Sequence, residues 1–172
     1  MMMDEPLLGP RYHEPFPGPP EEEARLVDGI RDLIGSQPFA VLCTQGNGQP
    51  YGSVVAFAVS QDLHSFVFAT PVATRKYRLL SDCDRVALVV DNRGQYPEDM
   101  MKVEAITVTG QARQVPPGPD FETWGALLAA RHPYLRSFIK APSTALFRVD
   151  VVRVLHVTRF QEVRQWLPSA NG

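Results

Sequence analysis

Three consecutive side chains in the middle of the chain could hold an anion. Thr74, Arg75 and Lys76 follow a short apolar run, and the residues after them, as far as Asp82, have the composition of a helix. Two cations therefore fall in the first turn and an acid near the end, although the positive N-terminus of a helix favours acidic side chains. A bound anion would explain this order, because N–H groups, a hydroxyl and two cations would converge on it. The alternative is a solvated basic helix face.

The other reactive side chains form no comparable group. The histidines and cysteines show no metal-ligand spacing, so no metal site is predicted. His132 precedes Pro133 at the end of a predicted helix, where an imidazole commonly interacts with the last carbonyl groups. Cys43 lies in an apolar run, which is typical of a small buried thiol. The acids Asp91, Glu98 and Asp99 form no spaced pair for acid–base work, and a solvated loop is the simpler interpretation.

The composition indicates one globular domain that binds neither nucleic acid nor membrane. The chain has 172 residues, a net charge of −2 and a pI near 6.1, whereas nucleic-acid-binding domains are usually strongly basic. No apolar run approaches the roughly 20 residues that a membrane span needs. The first five residues lack the basic and apolar regions of a signal peptide, so we expect a cytoplasmic protein.

The chain is predicted to divide into an N-terminal arm and a single folded domain. Residues 1–23 contain six prolines, which oppose both helix and strand, so this segment is predicted to be an extended or poorly ordered arm. Residues 24–172 form the predicted domain, which opens with a helix over residues 24–34 because apolar residues recur there at helical spacing.

The pattern of the remaining chain favours a mainly β fold. A Gly/Asn-rich turn joins the first two predicted strands as a hairpin, and Asp120 is predicted to cap a helix that runs to Arg131. Six or seven short strands in meander order, with helices between them, predict an antiparallel barrel with peripheral helices. No clear period is visible after residue 158. Strands are predicted over residues 39–44, 51–59, 65–70, 85–91 and 102–115, with one or two more over 145–157.

Three segments resemble the pyridoxamine 5′-phosphate oxidase-like superfamily of FMN-binding split barrels. The predicted hairpin at residues 39–59 is similar to the first two strands of that family. Residues 66–70 followed by Thr74, Arg75 and Lys76 are similar to its aromatic-x-Thr and Ser/Thr-Arg-Lys signature, and residues 85–90 resemble the next strand. The resemblance covers residues 38–115 and extends more loosely to residue 157. It implies a six-stranded split β-barrel with peripheral helices.

The resemblance also implies a flavin site and a dimer. The family's phosphate contacts fall on residues 74–76, its ring contacts on residues 53–55 and its ribityl contacts on residues 69 and 70. A glutamine of the family falls near Glu104 or Ala105, neither of which is an amide. The family assembles as a homodimer with the flavin at the interface. The implied cofactor-binding residues are Ser53, Val54, Val55, Ala69, Thr70, Thr74, Arg75 and Lys76.

Two departures argue against the synthesis of pyridoxal phosphate. That reaction needs a basic residue late in the second strand and a C-terminal Arg-x-His pair, whereas this chain has Phe57, Ala58 and Val59 at the first place and Arg164, Gln165 and Trp166 at the second. Without those cations a phosphorylated substrate would have little to hold it. The expectation is an FMN-dependent oxidoreductase acting on a small acceptor, with no catalytic residue assigned.

Two alternatives remain open at this stage. The cofactor could be a deazaflavin instead of FMN. The chain could also be a binding module for haem or another planar ligand on the same fold. Members of the superfamily that handle haem use a histidine, so His132 and His156 are the candidates.

Overall fold

The computed structural model describes residues 18–159 and 162–168 of the chain. Seven antiparallel strands form one sheet, and four α-helices lie around it. Short 3-10 turns lie at Arg93–Gln95, Met100–Lys102 and Pro133–Leu135. The helices are α1 (Pro20–Ser36), α2 (Arg75–Asp82), α3 (Pro119–Arg131) and α4 (Arg136–Lys140). The strands are β1 (Phe39–Gly46), β2 (Gln49–Val59), β3 (Ser65–Pro71), β4 (Arg85–Asp91), β5 (Ala105–Gln114), β6 (Thr144–Thr158) and β7 (Glu162–Trp166).

Six of the strands close into a barrel. The sheet order is β3-β2-β1-β4-β5-β6-β7, and β3 also pairs with the first half of β6, from Pro71↔Thr144 to Ser65↔Asp150. This confirms the predicted mainly β fold with a six-stranded barrel and peripheral helices. The predicted meander order is wrong, however, because β4 pairs with β1 and not with β3. Helix α2 carries the chain from β3 to the other side of β1.

The barrel interior is filled by alternate side chains of every strand. Phe57, Phe66 and Phe68 are fully buried there, and Phe57 stacks on Phe66 with ring centroids 5.6 Å apart. Burial of aromatic groups of this size supplies much of the hydrophobic stabilisation of a small barrel. Helix α1 adds its apolar stripe to the same core, while α3 and α4 cover a second cluster on the outer face of β2, β3 and β6.

A β-bulge divides β6 into two parts with opposite alternation. Thr109 of β5 pairs with Arg153, but the next residue, Gly110, pairs with Val151, so Val152 is an extra residue. Gly110 is required here because a Cβ atom would collide with the carbonyl oxygen of Asp150. Odd-numbered side chains of β6 face the core before the bulge, and even-numbered ones such as His156 face inward after it.

The main differences from the sequence-based predictions concern α1, α3 and β7. Helix α1 begins at Pro20, so residues 20–23 are helical and not part of an arm; proline is tolerated in a first turn, and three acids complement the helix N-terminus. Asp120 does not cap α3, which begins one residue earlier, after Gly118. Strand β7 was not predicted at all. Residues 1–17 lie outside the described residues, so their predicted arm is not addressed.

Candidate functional site

The barrel is split between β2 and β3. The two strands pair only at Phe57↔Phe68, Ala58↔Val67 and Val59↔Phe66. Beyond these pairs β3 continues alongside β6, while the first half of β2 pairs with β1 alone. Residues 53–55 of β2 therefore present a strand edge without a β3 partner, opposite Ala69 and Thr70. We call this opening the cleft.

The β2 side of the cleft offers one hydroxyl and a free backbone edge. Ser53 is half-buried, and its Oγ has no hydrogen-bond partner within the described residues. Val54 points to the outer face and is 68% exposed, whereas the side chain of Val55 packs in the barrel core. Of the residues predicted to line a ring on this side, Val55 can therefore contribute only its backbone groups.

The β3 side is fixed by a hydroxyl network at the start of α2. The Thr74 hydroxyl donates to the Pro71 carbonyl oxygen at 2.9 Å and accepts from the Tyr77 N–H at 3.2 Å, which makes Thr74 the N-cap of the helix. Because its single hydrogen is used, its 3.1 Å contact with the Thr70 hydroxyl must be donated by Thr70. Thr70 is wholly buried, and Ala69 faces the opposite way, toward the cluster under α3 and α4.

Two cations without acidic partners stand at the mouth of the cleft. Arg75 is exposed, and its guanidinium carbon lies 5.4 Å from the centroid of the Tyr51 ring. Lys76 is half-buried, and burial lowers the pKa of its ammonium group. Within the described residues neither side chain forms an ion pair. The first turn of α2 thus carries uncompensated positive charge, as the sequence predicted.

Helix α2 is held tightly against the barrel end. A Cβ atom on Gly46 would lie 2.5 Å from Cδ2 of Leu79, so a larger residue on β1 at this position would displace that side chain of the helix. The Tyr77 hydroxyl donates to Oε1 of Gln114 at 3.1 Å, and its ring packs edge-on against Phe147 at 6.0 Å. These contacts fix the position and direction of the first turn of α2.

The residues of the cleft fit a phosphorylated planar cofactor. The two cations and the helix N-terminus match a phosphate group, and the unsatisfied Ser53 hydroxyl beside an unpaired strand edge matches a ring with polar groups along its rim. The residues at the family's glutamine position lie elsewhere. Glu104 is 3.6 Å from Nε2 of His156, and Ala105 starts β5 at the other end of the barrel.

The two candidate histidines have very different surroundings. His132 is 3% exposed and donates from Nε2 to the Phe57 carbonyl oxygen at 2.9 Å, between the rings of Phe39 and Tyr134. It is a satisfied core residue. His156 is 6% exposed, its Nε2 makes no hydrogen bond within the described residues, and burial lowers its pKa while Glu104 opposes that shift.

Sequence reasoning missed Tyr51 and Gly46, which hold Arg75 and α2 in place. No local pattern could have revealed them, because each acts on a residue far along the chain. Over residues 18–159 and 162–168, no three His, Cys, Asp or Glu side chains are grouped as metal ligands, and no helix has the length and hydropathy that a bilayer crossing requires.

Fold and cleft together define a split β-barrel whose opening is edged by unpaired cations. The family model described as pyridoxamine 5′-phosphate oxidase matches residues 26–158, which is most of the chain. The chain belongs to this family, which confirms the resemblance carried by residues 66–76.

Solved structures support the same fold at low sequence identity. A haem-binding protein from Mycobacterium smegmatis superposes with a TM-score of 0.71 at 17% identity, over 80% of this chain and 56% of its own length. The haem storage protein HutZ from Vibrio cholerae gives 0.64 at 16% identity, over 72% and 88%. An FAD-binding protein from Mesorhizobium loti gives 0.60 at 15% identity, over 74% and 91%. A search of curated proteins found no match to this sequence.

Proposed function

We propose that the chain binds FMN in the cleft, with the phosphate held by Arg75, Lys76 and the N-terminus of α2. The observation that carries this proposal is the pair of cations without acidic partners beside a strand edge that β3 leaves open. Lys76 is half-buried at a cost to its charged form, and a phosphate would compensate that cost.

The remaining residues of the cleft have distinct roles in the proposed FMN site. Thr74 caps α2 and orients its N–H groups, and the Thr70 hydroxyl supports that cap. Ser53 offers an unsatisfied hydroxyl, and the backbone of residues 53–55 offers polar groups along the ring edge. When bound, FMN supplies hydride or single-electron transfer, so the proposed activity is an oxidoreductase acting on a small molecule. No side chain is assigned as a catalytic acid or base.

The reaction proposed is not the oxidation of pyridoxamine phosphate. Phe57 and Ala58, where that reaction needs a cation, are core residues with less than 3% exposure. Near the C-terminus, Arg164 is engaged by Glu162 at 2.6 Å. The chain therefore offers no second phosphate site at either place, which supports a substrate without a phosphate group.

A homodimer is part of the same proposal. The register aligns outward side chains of four neighbouring strands in one row, Val54, Val41, Val89 and Thr107, and the adjacent Phe39 is 50% exposed. An apolar sheet face of this kind favours association, and a second copy presents the same face by two-fold symmetry. We also propose a cytoplasmic location, which suits the two unpaired thiols, Cys43 and Cys83.

The visible spectrum and a comparison of flavins test the FMN proposal. The purified protein should show flavin absorption bands or acquire them with FMN. Riboflavin has the same ring without the phosphate, so it should bind much more weakly than FMN. A deazaflavin that binds in place of FMN would change the assigned cofactor, and a chain that takes up neither would contradict the proposal.

A haem-binding module is the second candidate. The observation that favours it is His156, whose Nε2 lacks a hydrogen bond and which lines a cavity of about 480 Å³. His132 is less suited, because its Nε2 is used by the Phe57 carbonyl group. Addition of haem should then give a Soret band that His156→Ala abolishes and that Arg75→Ala leaves unchanged. No band with the unmodified protein would exclude this candidate.

A further inference from the structure

A second charged cavity lies at the far end of the barrel from the cleft. It has a volume of about 480 Å³ and lies between α1, the β4–β5 connection and the β6–β7 hairpin. The flavin proposal uses none of its walls, although Glu104 lies near the position of the family's glutamine and Arg164 at that of its C-terminal Arg-x-His pair. Its charged or titratable lining residues include Arg25, Lys102, Glu104, His156, Arg159 and Arg164.

The register of β6 shows how far this cavity is from the cleft. Thr70, at the cleft, pairs with Ala145 near the start of β6, whereas His156 lies near the end of the same strand. That length of strand spans roughly 35 Å at about 3.3 Å per residue. Within one chain the two sites are therefore separate, and a ligand at one does not touch the other.

The cavity carries a surplus of positive charge. Its four cations face two acids, Glu104 and Glu162. Lys102 is paired with Asp99 at 3.1 Å and Arg164 with Glu162 at 2.6 Å. Arg25 and Arg159, from α1 and the β6–β7 turn, form no ion pair within the described residues. Two guanidinium groups from different elements of the lining, without an ion pair among the described residues, are the donors that an oxyanion needs.

A buried polar atom lies in the same cavity. His156 is 6% exposed and faces inward because of the bulge in β6, and its Nε2 makes no hydrogen bond with any residue that the structure describes. The Glu104 carboxylate, 3.6 Å away, is too far for one. A buried polar atom without a partner is unusual and commonly marks a place where a ligand or ion completes the contacts.

We propose that this cavity binds a small dianion, either a phosphate monoester or a dicarboxylate, between Arg25 and Arg159 with His156 beneath it. Tyr96 and Met101 also line the cavity, so the ligand has room for a short organic body beside its charged group. The proposal does not rest on the flavin site. Its ligand is recognised by two negative charges and not by a planar ring.

Titration calorimetry on the full chain tests the proposal. Inorganic phosphate and malonate are titrated at constant ionic strength, once with FMN present in excess and once in an Arg75→Ala/Lys76→Ala background, so that α2 cannot account for the signal. Phosphate or malonate should bind under both conditions. Which of the two binds shows whether the ligand is a phosphate monoester or a dicarboxylate. Arg25→Ala/Arg159→Ala should weaken binding by roughly tenfold for each cation removed.

Matched variants distinguish binding in this cavity from a general effect of the protein's net charge. Arg85→Ala/Arg136→Ala removes the same net charge from exposed positions outside the cavity and should leave affinity unchanged. Glu104→Gln removes an acid from the cavity and should tighten binding several-fold, whereas Glu98→Gln, in the same connection but outside the cavity lining, should not.

Three outcomes would overturn the proposal. They are no binding of either dianion in either background, equal losses in the two arginine double variants, and a haem-dependent Soret band that requires His156 and shows the cavity to be a porphyrin site. The flavin proposal is judged separately by FMN binding, so failure of one leaves the other standing.

Discussion

The guanidinium carbon of Arg75 lies 5.4 Å from the centroid of the Tyr51 ring, which links the first turn of α2 to the start of β2 across the cleft. An aromatic face attracts a cation without using its N–H donors. Arg75 is thus held in place while all its donors stay available. A guanidinium group arranged in this way is ready to accept an anion without first breaking an ion pair.

Removal of both cations at the start of α2 should abolish tight FMN binding without unfolding the protein. Each charge-assisted contact with a phosphate contributes about 1.5–3 kcal/mol, so Arg75→Ala/Lys76→Ala should weaken FMN binding by at least a hundredfold. Riboflavin binding should change far less. Flavin fluorescence titration measures both affinities.

The control for this prediction is Arg85→Ala/Arg136→Ala, which lowers the net charge equally at exposed positions. FMN affinity that is the same in the two double variants would show that the cations at residues 75 and 76 do not hold the phosphate.

Lys76 should destabilise the protein when no flavin is bound. Burial lowers the pKa of its ammonium group, so the unfolded chain binds more protons between the lowered and the ordinary pKa, and stability rises with pH through that window. At pH values below the window the penalty on the charged form is fully present. Lys76→Met should therefore raise the urea midpoint of the flavin-free protein at pH 7.

With FMN in excess the wild-type protein should have the higher urea midpoint, because the FMN phosphate stabilises the chain with Lys76 more than it stabilises the variant. Lys140→Met, at an exposed lysine of α4, should shift neither midpoint. A flavin-free Lys76→Met variant that is less stable than wild type would contradict this account.

A methyl group at Gly46 should disturb the position of α2. The added Cβ would lie 2.5 Å from Cδ2 of Leu79, and overpacking of this kind commonly lowers the free energy of unfolding by about 1–3 kcal/mol. FMN affinity should fall as well, since the helix that carries both cations must move. Urea unfolding and FMN titration of Gly46→Ala measure the two effects.

Leu79→Ala in the same chain should relieve the collision. The two changes are expected to be non-additive, with a coupling of at least about 0.5 kcal/mol, because the residues are in contact. Additive effects on stability would mean that Gly46 and Leu79 do not restrain each other.

A charge on the outer sheet face should separate the proposed dimer. Val54 is 68% exposed, so Val54→Asp should leave the barrel core intact while it places a carboxylate on the apolar row. Light scattering after gel filtration should show the wild type as a dimer and the variant as a monomer. Met100→Asp, equally exposed on the β4–β5 connection, should remain dimeric. A wild-type monomer would refute the predicted assembly.

The parts of the fold that local patterns specify were predictable from the sequence. Strand β4 was predicted with its observed bounds, Arg85–Asp91, because a continuous apolar run flanked by polar residues has few alternatives. Thr74 at the start of α2 was predictable for the same reason, as a hydroxyl just before a helical segment. The charges of the first turn then indicated an anion site.

Features that depend on distant partners were not predictable. Strand β7 is defined by its ladder with the end of β6, and its five residues alone show no clear alternation. The contact between Tyr51 and Arg75 joins a hairpin to a helix one strand later, so the sequence of neither segment indicates it. His156 faces inward because the extra residue upstream bulges out of the ladder, which a period count does not detect.

The bulge at Val152 determines which side chains at the end of β6, including His156, face the core. Removal of that one residue would restore simple alternation with His156 still facing inward, whereas removal of any one residue between Arg153 and His156 would turn the histidine outward. A single insertion or deletion between Arg153 and His156 should therefore reverse which of the following side chains face the core. Comparison of natural variants by strand length, and not by residue identity alone, would reveal which of them retain the inward histidine.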